Sequence, residues 1–514
     1  MIKGDYVERS RVTKSGKTVV DKIVTSTTGV EYAIGPRLGS GGVAKVFRAR
    51  RLSDKAEFAF KEYAPSPETR RVHRAIKRNI QTLIKTPLTE SDGTPLTSFI
   101  GPLDKDSVIE LPASGGWGYI MELVDTEAFL SVPKLRHPGI YPDAKILCIA
   151  CMNIASFFRR VHFSGWCYKD INEGNIYINN KTGEIRVIDC DNISVQSTRT
   201  IKGTDGFMAP EVYDGVPPDS YTDYFSMAVL YYRLLIGGFP MDGKKTYQYL
   251  IENNLSIQEA ASKIYGNMAL FAFDPQDHSN EIRGLVDPRN PKLYAGQTAY
   301  WDNLPKEIQD GFIKTFSVGL SNDNRTKRAT DRDWMVIFEN LLKEGLVTCK
   351  CGKKNFGDRK AGKLCIYCEA KLPLIPKKPV SPPKPTKQPK PTPQPAQQPK
   401  PQTQSPISTS NELTTVVFRA KRDIAPTGLS ITVKRKHSLP GKGIHPNLSE
   451  DWMKIEYNKT KNLLAAVNLS QNPWSVSDNG VKTVCNPGER VILKKGLVIT
   501  VLYRQLQLTV DEIK

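Results

Sequence analysis

The chain has few of the features that would place it outside the cell or in a membrane. Only nine cysteines occur in 514 residues, and four of them fall within residues 349–368, which argues against a disulfide framework. The N-terminal segment alternates charged and polar residues, and the longest apolar stretches are interrupted by Asn153 and Arg233. We therefore expect a reducing, cytoplasmic location without a membrane anchor.

Acidic residues are scarce towards the C-terminal end. The whole chain carries 73 basic and 53 acidic residues, a net charge of +20, but residues 349–514 hold 29 basic and only 11 acidic ones. Residues 1–348 hold 44 and 42 and are nearly neutral. The basic bias therefore belongs to the tail, where it favours acidic or phosphorylated protein partners over nucleic acid.

Length and composition predict a globular chain of about two to four folded units. Residues 373–412 are rich in Pro, Lys and Gln, with 13 of the 36 prolines and no acid in the first 34 residues, so they predict a disordered linker. Short alternating runs separated by Pro-Gly and Asn-Gly predict an all-β, sandwich-like recognition module over residues 413–514. A cysteine unit, 349–372, and a first domain, 1–348, precede the linker.

A glycine-rich turn stands between alternating runs in residues 31–63. The missing side chains of Gly39, Gly41 and Gly42 let backbone N–H groups approach phosphate closely. The following strand, Phe58-Ala59-Phe60-Lys61, ends in a lysine whose ammonium could pair with phosphate oxygens.

The most informative segment is residues 168–175, Tyr-Lys-Asp-Ile-Asn-Glu-Gly-Asn. A strand over residues 185–188 follows, and then Asp189-Cys190-Asp191. The segment resembles the D-x-x-x-x-N catalytic loop of protein kinases, and Asp189 is similar to the metal-binding aspartate that follows that loop.

Three later matches keep the order of that family. Residues 203–211 resemble the end of an activation segment, and Asp223 resembles the buried aspartate of the next core helix. Arg328 is placed to pair with Glu211. Together the matches extend over roughly residues 31–345, which makes the resemblance far more specific than any one motif.

The resemblance implies an α+β, two-lobed protein-kinase-like fold, with a mainly β first lobe through about residue 124 and a helical second lobe. It implies transfer of phosphate from ATP, with Mg or Mn, to serine or threonine hydroxyls of protein substrates. Asp170 would be the catalytic base, while Asn175 and Asp189 would hold the metal. The residues implied at the nucleotide are Gly39, Ser40, Gly41, Gly42, Val46, Lys61, and Glu122 and Val124 in the hinge.

The sequence departs from the family pattern at several positions, among them residues 79, 172 and 191. Asn79 stands where a helix usually supplies the glutamate that pairs with the strand lysine; it could hydrogen-bond Lys61 but carries no charge. Asp191 replaces a glycine and could serve the metal or cap a turn, of which we favour the turn. Asn172 replaces a lysine common in serine/threonine kinases.

The alternative to an active enzyme is a pseudokinase-like nucleotide-binding scaffold or a phosphoprotein-binding adaptor. A pseudokinase would lack the lysine, the base or a metal ligand. All of these are present here, as Lys61, Asp170, Asn175 and Asp189, and they favour catalysis.

The cysteine unit has the spacing C-x-C-x13-C-x-x-C, formed by Cys349, Cys351, Cys365 and Cys368. Two close pairs resemble a zinc ribbon, since each pair can present two thiolates to one tetrahedral ion. We expect a structural zinc; free or disulfide-paired cysteines are the alternative. In the β module, the basic run Arg435–Ser438 and the segment Asn486–Val491 partly resemble phosphothreonine-binding forkhead-associated domains, but an unrelated partner-binding sandwich is favoured.

Overall fold

A computed structural model of the chain describes two compact units, Met1–Lys377 and Lys378–Lys514. The described residues are 5–12, 15, 18–64, 66, 69–90, 93–137, 139–195, 203–286, 293–358, 363–375, 415–422, 425–434, 438–440, 451–458, 463–468, 474–478, 481–485, 489–501 and 506–513. The predicted linker from residue 376 onwards lies outside them, as do residues 435–437 of the basic run and residues 486–488.

The first unit begins with an antiparallel seven-stranded sheet in the order β1-β2-β3-β4-β5-β7-β6. Its strands are β1 (Val7–Val12), β2 (Thr18–Thr25), β3 (Glu31–Ser40), β4 (Lys45–Arg51), β5 (Glu57–Tyr63), β6 (Val108–Leu111) and β7 (Gly116–Glu122). Strand β5 lies inside the sheet and buries both of its faces, because Phe60 packs with Phe47 and Ile120 while Ala59 joins the main core. Because Lys61 lies on this inner strand, the sheet on both sides holds its backbone in place.

Helix α1 (Arg70–Lys85) packs on this sheet through His73, Ile76, Ile80 and Leu83, which are spaced three or four residues apart and are all buried. None of its sixteen residues is acidic, whereas six are lysine or arginine. The helix therefore brings an apolar face and an uncharged Asn79 to the interior.

The second lobe is helical. Its helices are α2 (Val132–Leu135), α3 (Ala144–Phe163), α4 (Pro210–Tyr213), α5 (Ser220–Leu235), α6 (Lys244–Glu252), α7 (Ile257–Ser262), α8 (Leu293–Asn303), α9 (Lys306–Ile313) and α10 (Asp331–Asn340). Short 3-10 turns lie at His278–Asn280 and Asn322–Lys327, and π turns at Lys263–Asn267, Lys314–Val318 and Leu341–Gly345; a further 3-10 turn, Lys105–Ser107, precedes β6 in the first lobe. Five short strands frame the loops between them, namely β8 (Leu130–Ser131), β9 (Trp166–Cys167), β10 (Ile176–Ile178), β11 (Ile185–Val187) and β12 (Ser194–Val195).

Helices α3 and α5 form the centre of this lobe. Helix α3 is long and apolar enough, by length and composition, to cross a membrane, but its buried side chains belong to the main core of the unit. Each helix begins at an aspartate, Asp143 or Asp219, whose carboxylate accepts N–H groups of the first turn. The α+β, two-lobed fold predicted from the resemblance is confirmed.

The cysteine segment forms a hairpin of β13 (Leu346–Thr348) and β14 (Lys354–Phe356) and then a second loop closed by the bridge between Leu364 and Lys371. Phe356 is buried in the main core of the first unit. The segment therefore shares the core of the helical lobe, which its composition did not indicate.

The second unit has only β-strands among its described residues. A six-stranded sheet has the order β16-β15-β24-β23-β20-β21, and a four-stranded sheet the order β17-β18-β19-β22. Their strands are β15 (Thr415–Arg422), β16 (Ala425–Lys434), β17 (Ser438–Pro440), β18 (Asp451–Asn458), β19 (Leu463–Asn468), β20 (Trp474–Asp478), β21 (Val481–Cys485), β22 (Arg490–Ile492), β23 (Val498–Val501) and β24 (Leu506–Ile513). Buried residues come from both sheets, for example Leu464 and Ile499. The predicted β character is confirmed.

Candidate active site

The glycine-rich turn joins β3 to β4. Gly39 pairs with Val46 and Ser40 with Lys45, and the N–H of Gly41 donates to the carbonyl of Ala44 over 2.9 Å, which closes the turn. A Cβ added to Gly39, Gly41 or Gly42 would meet open space. The turn is therefore bare on the side where a phosphate could approach.

Lys61, on β5, meets two carboxylates. Its Nζ lies 2.9 Å from Oδ1 of Asp189 and 3.0 Å from Oδ2 of Asp191. Burial alone would lower the pKa of Lys61, but the charges of Asp191 and Asp189 outweigh it, so the pKa lies above its ordinary value. Lys61 is therefore a fixed cation at neutral pH.

Our preferred interpretation of Asp191, as a turn cap, is wrong. Its side chain is engaged by Lys61 and by the hydroxyl of Tyr63, which donates to Oδ1 over 2.5 Å. Asn79, in turn, donates its Nδ2 to the backbone carbonyl of Asp191 over 3.1 Å rather than contacting Lys61. Both acids beside the lysine thus come from the segment after β11, and helix α1 supplies none.

The catalytic-loop aspartate is held by three donors. The N–H and Oγ1 of Thr204 lie 3.0 and 2.8 Å from Oδ1 of Asp170, and Nδ2 of Asn172 lies 3.2 Å from the same oxygen. Asn172 also donates to Oγ1 of Thr204 over 3.1 Å, so it ties the loop to the activation segment. Burial raises the pKa of Asp170, although the bonds from Thr204 and Asn172 oppose that rise.

Asn175 lies five residues further on and is nearly buried. Its Nδ2 donates to the backbone carbonyl of Asp170 over 3.1 Å, and its backbone carbonyl accepts the N–H of Ile188 over 2.9 Å. The bond from Nδ2 orients the carboxamide, so that its Oδ1 is the end available as a hard ligand. The side chain of Asp189 is 36% exposed, which leaves it open to the cleft.

Helix α5 holds the catalytic loop through the carboxylate of Asp223. Its two carboxylate oxygens accept the N–H groups of Tyr168 and Lys169 over 2.7 and 2.9 Å. Lys169 and Asp189 both have positive φ, 69° and 64°, a conformation that costs side-chain-bearing residues about 1–2 kcal/mol. The bonds to Asp223 hold the first of these turns, in which the loop reverses direction.

His162, at the end of α3, links Asp223 to α10. Its Nε2 lies 3.1 Å from Oδ2 of Asp223 and its Nδ1 lies 3.0 Å from Oδ2 of Asp331, all three side chains being buried. Burial would lower the pKa of His162, but the bonds to the two carboxylates raise it to about 9. The sequence contained no local signal for this contact.

Two predicted features of the second lobe are confirmed. Asp223 is buried on the core helix, and Arg328 pairs with Glu211, its Nη1 and Nη2 each lying 2.8 Å from a carboxylate oxygen. In the hinge, Glu122 ends β7 opposite Phe58, and Val124 is half-buried against the core. All candidate residues of the active site lie in the first unit, from the glycine turn and Lys61 to Asp170, Asn175 and Asp189.

The four cysteine sulfurs of the second predicted site lie within 4.8 Å of one another. Sγ of Cys349 is 3.5 Å from that of Cys368, and Sγ of Cys351 is 3.8 Å from that of Cys365. Zn–S bonds of about 2.3 Å in a tetrahedron require S···S distances of about 3.8 Å. The four cysteines therefore fit a zinc ion.

This cysteine cluster is anchored to the start of α3. The N–H of Lys354 donates to Oδ2 of Asp143 over 3.2 Å, and the hydroxyl of Tyr367 donates to the carbonyl of Pro142 over 2.6 Å. On its other side, Nζ of Lys363 donates to the carbonyl of Asn303 over 3.0 Å. The cluster thus contacts the helical lobe at the start of α3 and at the end of α8.

A two-lobed fold with a bare glycine turn, a strand lysine bound by carboxylates and an Asp–Asn loop is the architecture of protein kinases. The protein kinase domain family matches residues 32–330, more than half of the chain. The chain belongs to this family.

Relatives among known proteins are serine/threonine kinases of low identity. A probable serine/threonine-protein kinase of Corynebacterium efficiens is 26% identical over 255 residues, 46% of this chain and 36% of that protein. Serine/threonine-protein kinase PLK1 of Xenopus laevis is 23% identical over 248 residues, 47% and 39% of the two chains. The probable serine/threonine-protein kinase CCRP1 of Zea mays is 25% identical over 265 residues, 48% and 40%. The chain thus spans only 36–40% of these relatives' length.

Proposed function

We propose that this protein is an ATP- and Mg-dependent kinase that transfers the γ-phosphate to serine or threonine hydroxyls of protein substrates. The observation that carries the proposal is the convergence of Lys61, Asp170, Asn175 and Asp189 within one lobe interface, with Lys61 already bound to Asp189. The alternative, a nucleotide-binding scaffold without transfer, is the outcome that the experiment below would reveal.

In this mechanism, Asp170 accepts the proton of the substrate hydroxyl. The donors from Thr204 and Asn172 converge on Oδ1, and the proposal assigns Oδ2 to the hydroxyl. The raised pKa of Asp170 suits a group that must take up a proton. Lys61 would orient the α- and β-phosphates, and the glycine turn would cover them with backbone N–H groups.

The residues suited to hold the metal are Asn175 and Asp189, since Mg²⁺ prefers oxygen ligands. Bound Mg²⁺ would neutralise charge on the phosphate oxygens during transfer. The phosphate side of the nucleotide would be lined by the turn residues Gly39, Ser40, Gly41, Gly42 and Val46. The hinge side would be lined by Glu122 and Val124. Serine/threonine specificity is supported by the names of the relatives.

The test uses the full chain with Mg²⁺ or Mn²⁺, radiolabelled ATP and casein as a generic acceptor. Asp170→Asn and Asp189→Asn should each reduce autophosphorylation and casein labelling by at least about 10²-fold, because each removes a group needed in the transition state. Asp310→Asn, which removes one partner of an exposed ion pair, is the matched control. Phosphoamino-acid analysis should give phosphoserine or phosphothreonine. A wild-type chain that transfers no phosphate would support the scaffold.

We also infer that Cys349, Cys351, Cys365 and Cys368 hold one structural zinc. The fit of the sulfur distances to a tetrahedron supports this. Elemental analysis of the purified chain should give about one zinc per chain, and Cys351→Ser should reduce it. A zinc-free wild-type chain that retains its thermal stability would contradict the inference.

For the tail, we propose acidic or phosphorylated protein partners and a cytoplasmic setting. The net charge of +18 in residues 349–514 supports the partners, and the lack of a disulfide among the nine cysteines, all of which lie in the described residues, supports a reducing compartment. Binding of the full chain to an immobilised poly-glutamate peptide should fall steeply as NaCl is raised. Binding that is unchanged by salt would exclude an electrostatic partner.

A further inference from the structure

Helix α1 cannot supply the acid that usually positions the nucleotide-binding lysine. In other protein kinases a glutamate of the corresponding helix pairs with that lysine. Here the helix has no acidic residue, and the side chain of Asn79 is bonded to the carbonyl of Asp191. The lysine needs another partner if it is to keep one position.

The two carboxylates at Lys61 differ in their surroundings. The side chain of Asp189 is 36% exposed, whereas that of Asp191 is only 4% exposed. Asp189 can therefore turn to a ligand in the cleft, while Asp191 is enclosed. Asp189 thus has an exposed carboxylate beside Lys61, and Asp191 has a buried one.

Asp191 is also hydrogen-bonded to the sheet of the first lobe. The hydroxyl of Tyr63 donates to its Oδ1, and the Tyr63 ring is fully buried and stacked on Trp117 with centroids 4.4 Å apart. Oδ2 then remains for Nζ of Lys61. A buried carboxylate is stable only when it is paired and hydrogen-bonded in this way.

We propose that Asp191 is the positioning residue for Lys61, in place of the absent helix glutamate. This inference rests on the proposed function and deepens it. The lysine ammonium has three N–H donors. Two are directed at the carboxylates, and the third is left for a phosphate oxygen. The acid that orients the lysine thus lies two residues from the acid assigned to the metal.

The test is a double-mutant cycle read as kcat and KM for ATP in the full chain. Asp191→Asn keeps the shape and should lower kcat/KM for ATP by about 10²-fold, as expected when a binding group is misplaced by about 1 Å. Lys61→Met should do at least as much. The double variant should be no worse than Lys61→Met alone, because Asp191 acts through the lysine. If the losses of kcat/KM caused by Asp191→Asn and Lys61→Met multiply in the double variant, Asp191 does not act through the lysine. That result would overturn the proposal in favour of a merely structural role.

A rescue variant separates positioning from folding. Asn79→Glu combined with Asp191→Asn places a carboxylate back on helix α1 and should restore at least tenfold of the lost kcat/KM. Glu110→Gln, which breaks the exposed pair with Lys77 in the same lobe, is the control. Asp191→Asn with wild-type kcat/KM would also overturn the proposal.

Failure of the proposed function is distinguishable. If the wild-type chain transfers no phosphate, calorimetric binding of Mg-AMP-PNP replaces the kinetic readout. A tenfold weaker affinity in Asp191→Asn, absent in Glu110→Gln, would support the positioning role without any catalysis. Equal affinity in all variants would refute it.

Discussion

Arg328 and Glu211, 117 residues apart, form a two-point ion pair whose side chains are both almost completely buried. The guanidinium also donates to the carbonyls of Gly319 and Tyr221. Its planar fork therefore joins the end of the activation segment, the start of α5 and the turn before α10.

Glu211→Gln should destabilise the first unit by about 3–5 kcal/mol, because it leaves the Arg328 charge buried without its counter-charge. Urea unfolding followed by tryptophan fluorescence would measure the change. Glu339→Gln, which breaks the exposed pair with Lys343, should cost less than about 1 kcal/mol. Equal effects in the two variants would contradict the structural role of the buried pair.

Thr204→Val should lower kcat by about 10²-fold while leaving the fold intact, because the valine keeps the shape and removes the hydroxyl bonded to Asp170. Thr204→Ser retains a hydroxyl and should keep most of the activity. Steady-state phosphorylation of casein would compare the two. A fully active valine variant would show that the backbone N–H of Thr204 suffices to orient Asp170.

His162 predicts a pH-dependent stability. Because its pKa is raised from 6.5 to about 9 in the folded chain, its contribution is full below about pH 6.5 and is lost as the pH rises through about 9. Between Asp223 and Asp331, with the Tyr224 ring at its edge, the charged form is the stable one. The contribution is on the order of 3 kcal/mol.

The measurement is the unfolding free energy of wild type and His162→Gln between pH 6 and 10. The difference between the two chains should shrink as the pH rises, since the neutral histidine loses its advantage over glutamine. A constant difference would mean that His162 is neutral throughout this range.

Removal of the zinc proposed for the cysteine cluster should destabilise the helical lobe as well. The bonds from Lys354 to Asp143 and from Tyr367 to Pro142 tie the cluster to the first turn of α3. A zinc chelator should therefore lower the melting temperature of the whole first unit in scanning fluorimetry. Tyr367→Phe should lower stability by about 1 kcal/mol and weaken this coupling. An unchanged melting curve after chelation would contradict it.

The sequence predicted those features whose signal is short and local. The glycine turn, the Asp170–Asn175 loop and the cysteine pairs each need a fixed spacing within a few residues, and the structure brings the members of each together. The roles assigned to these residues, and the domain boundaries, stay predictions.

The relationships that were missed join distant positions. Lys61 and Asp189 are separated by 128 residues, as are Tyr63 and Asp191, so no local pattern could show that the acids at 189 and 191 both contact the lysine. Lys354 and Asp143 are 211 residues apart. These contacts form because the side chains are buried together where β5, α1 and α3 pack. Patterns in the sequence do not show how these elements pack.

The attachment of the cysteine segment has a practical consequence for recombinant work. A catalytic fragment cut at the end of the family match, residue 330, loses α10, and one cut at residue 348 loses Phe356 and Tyr367. Each would expose apolar surface around α3 to solvent and favour aggregation. A fragment that ends at Ile375 keeps this surface covered and also retains the bond from the N–H of Ile375 to the carbonyl of Asp358.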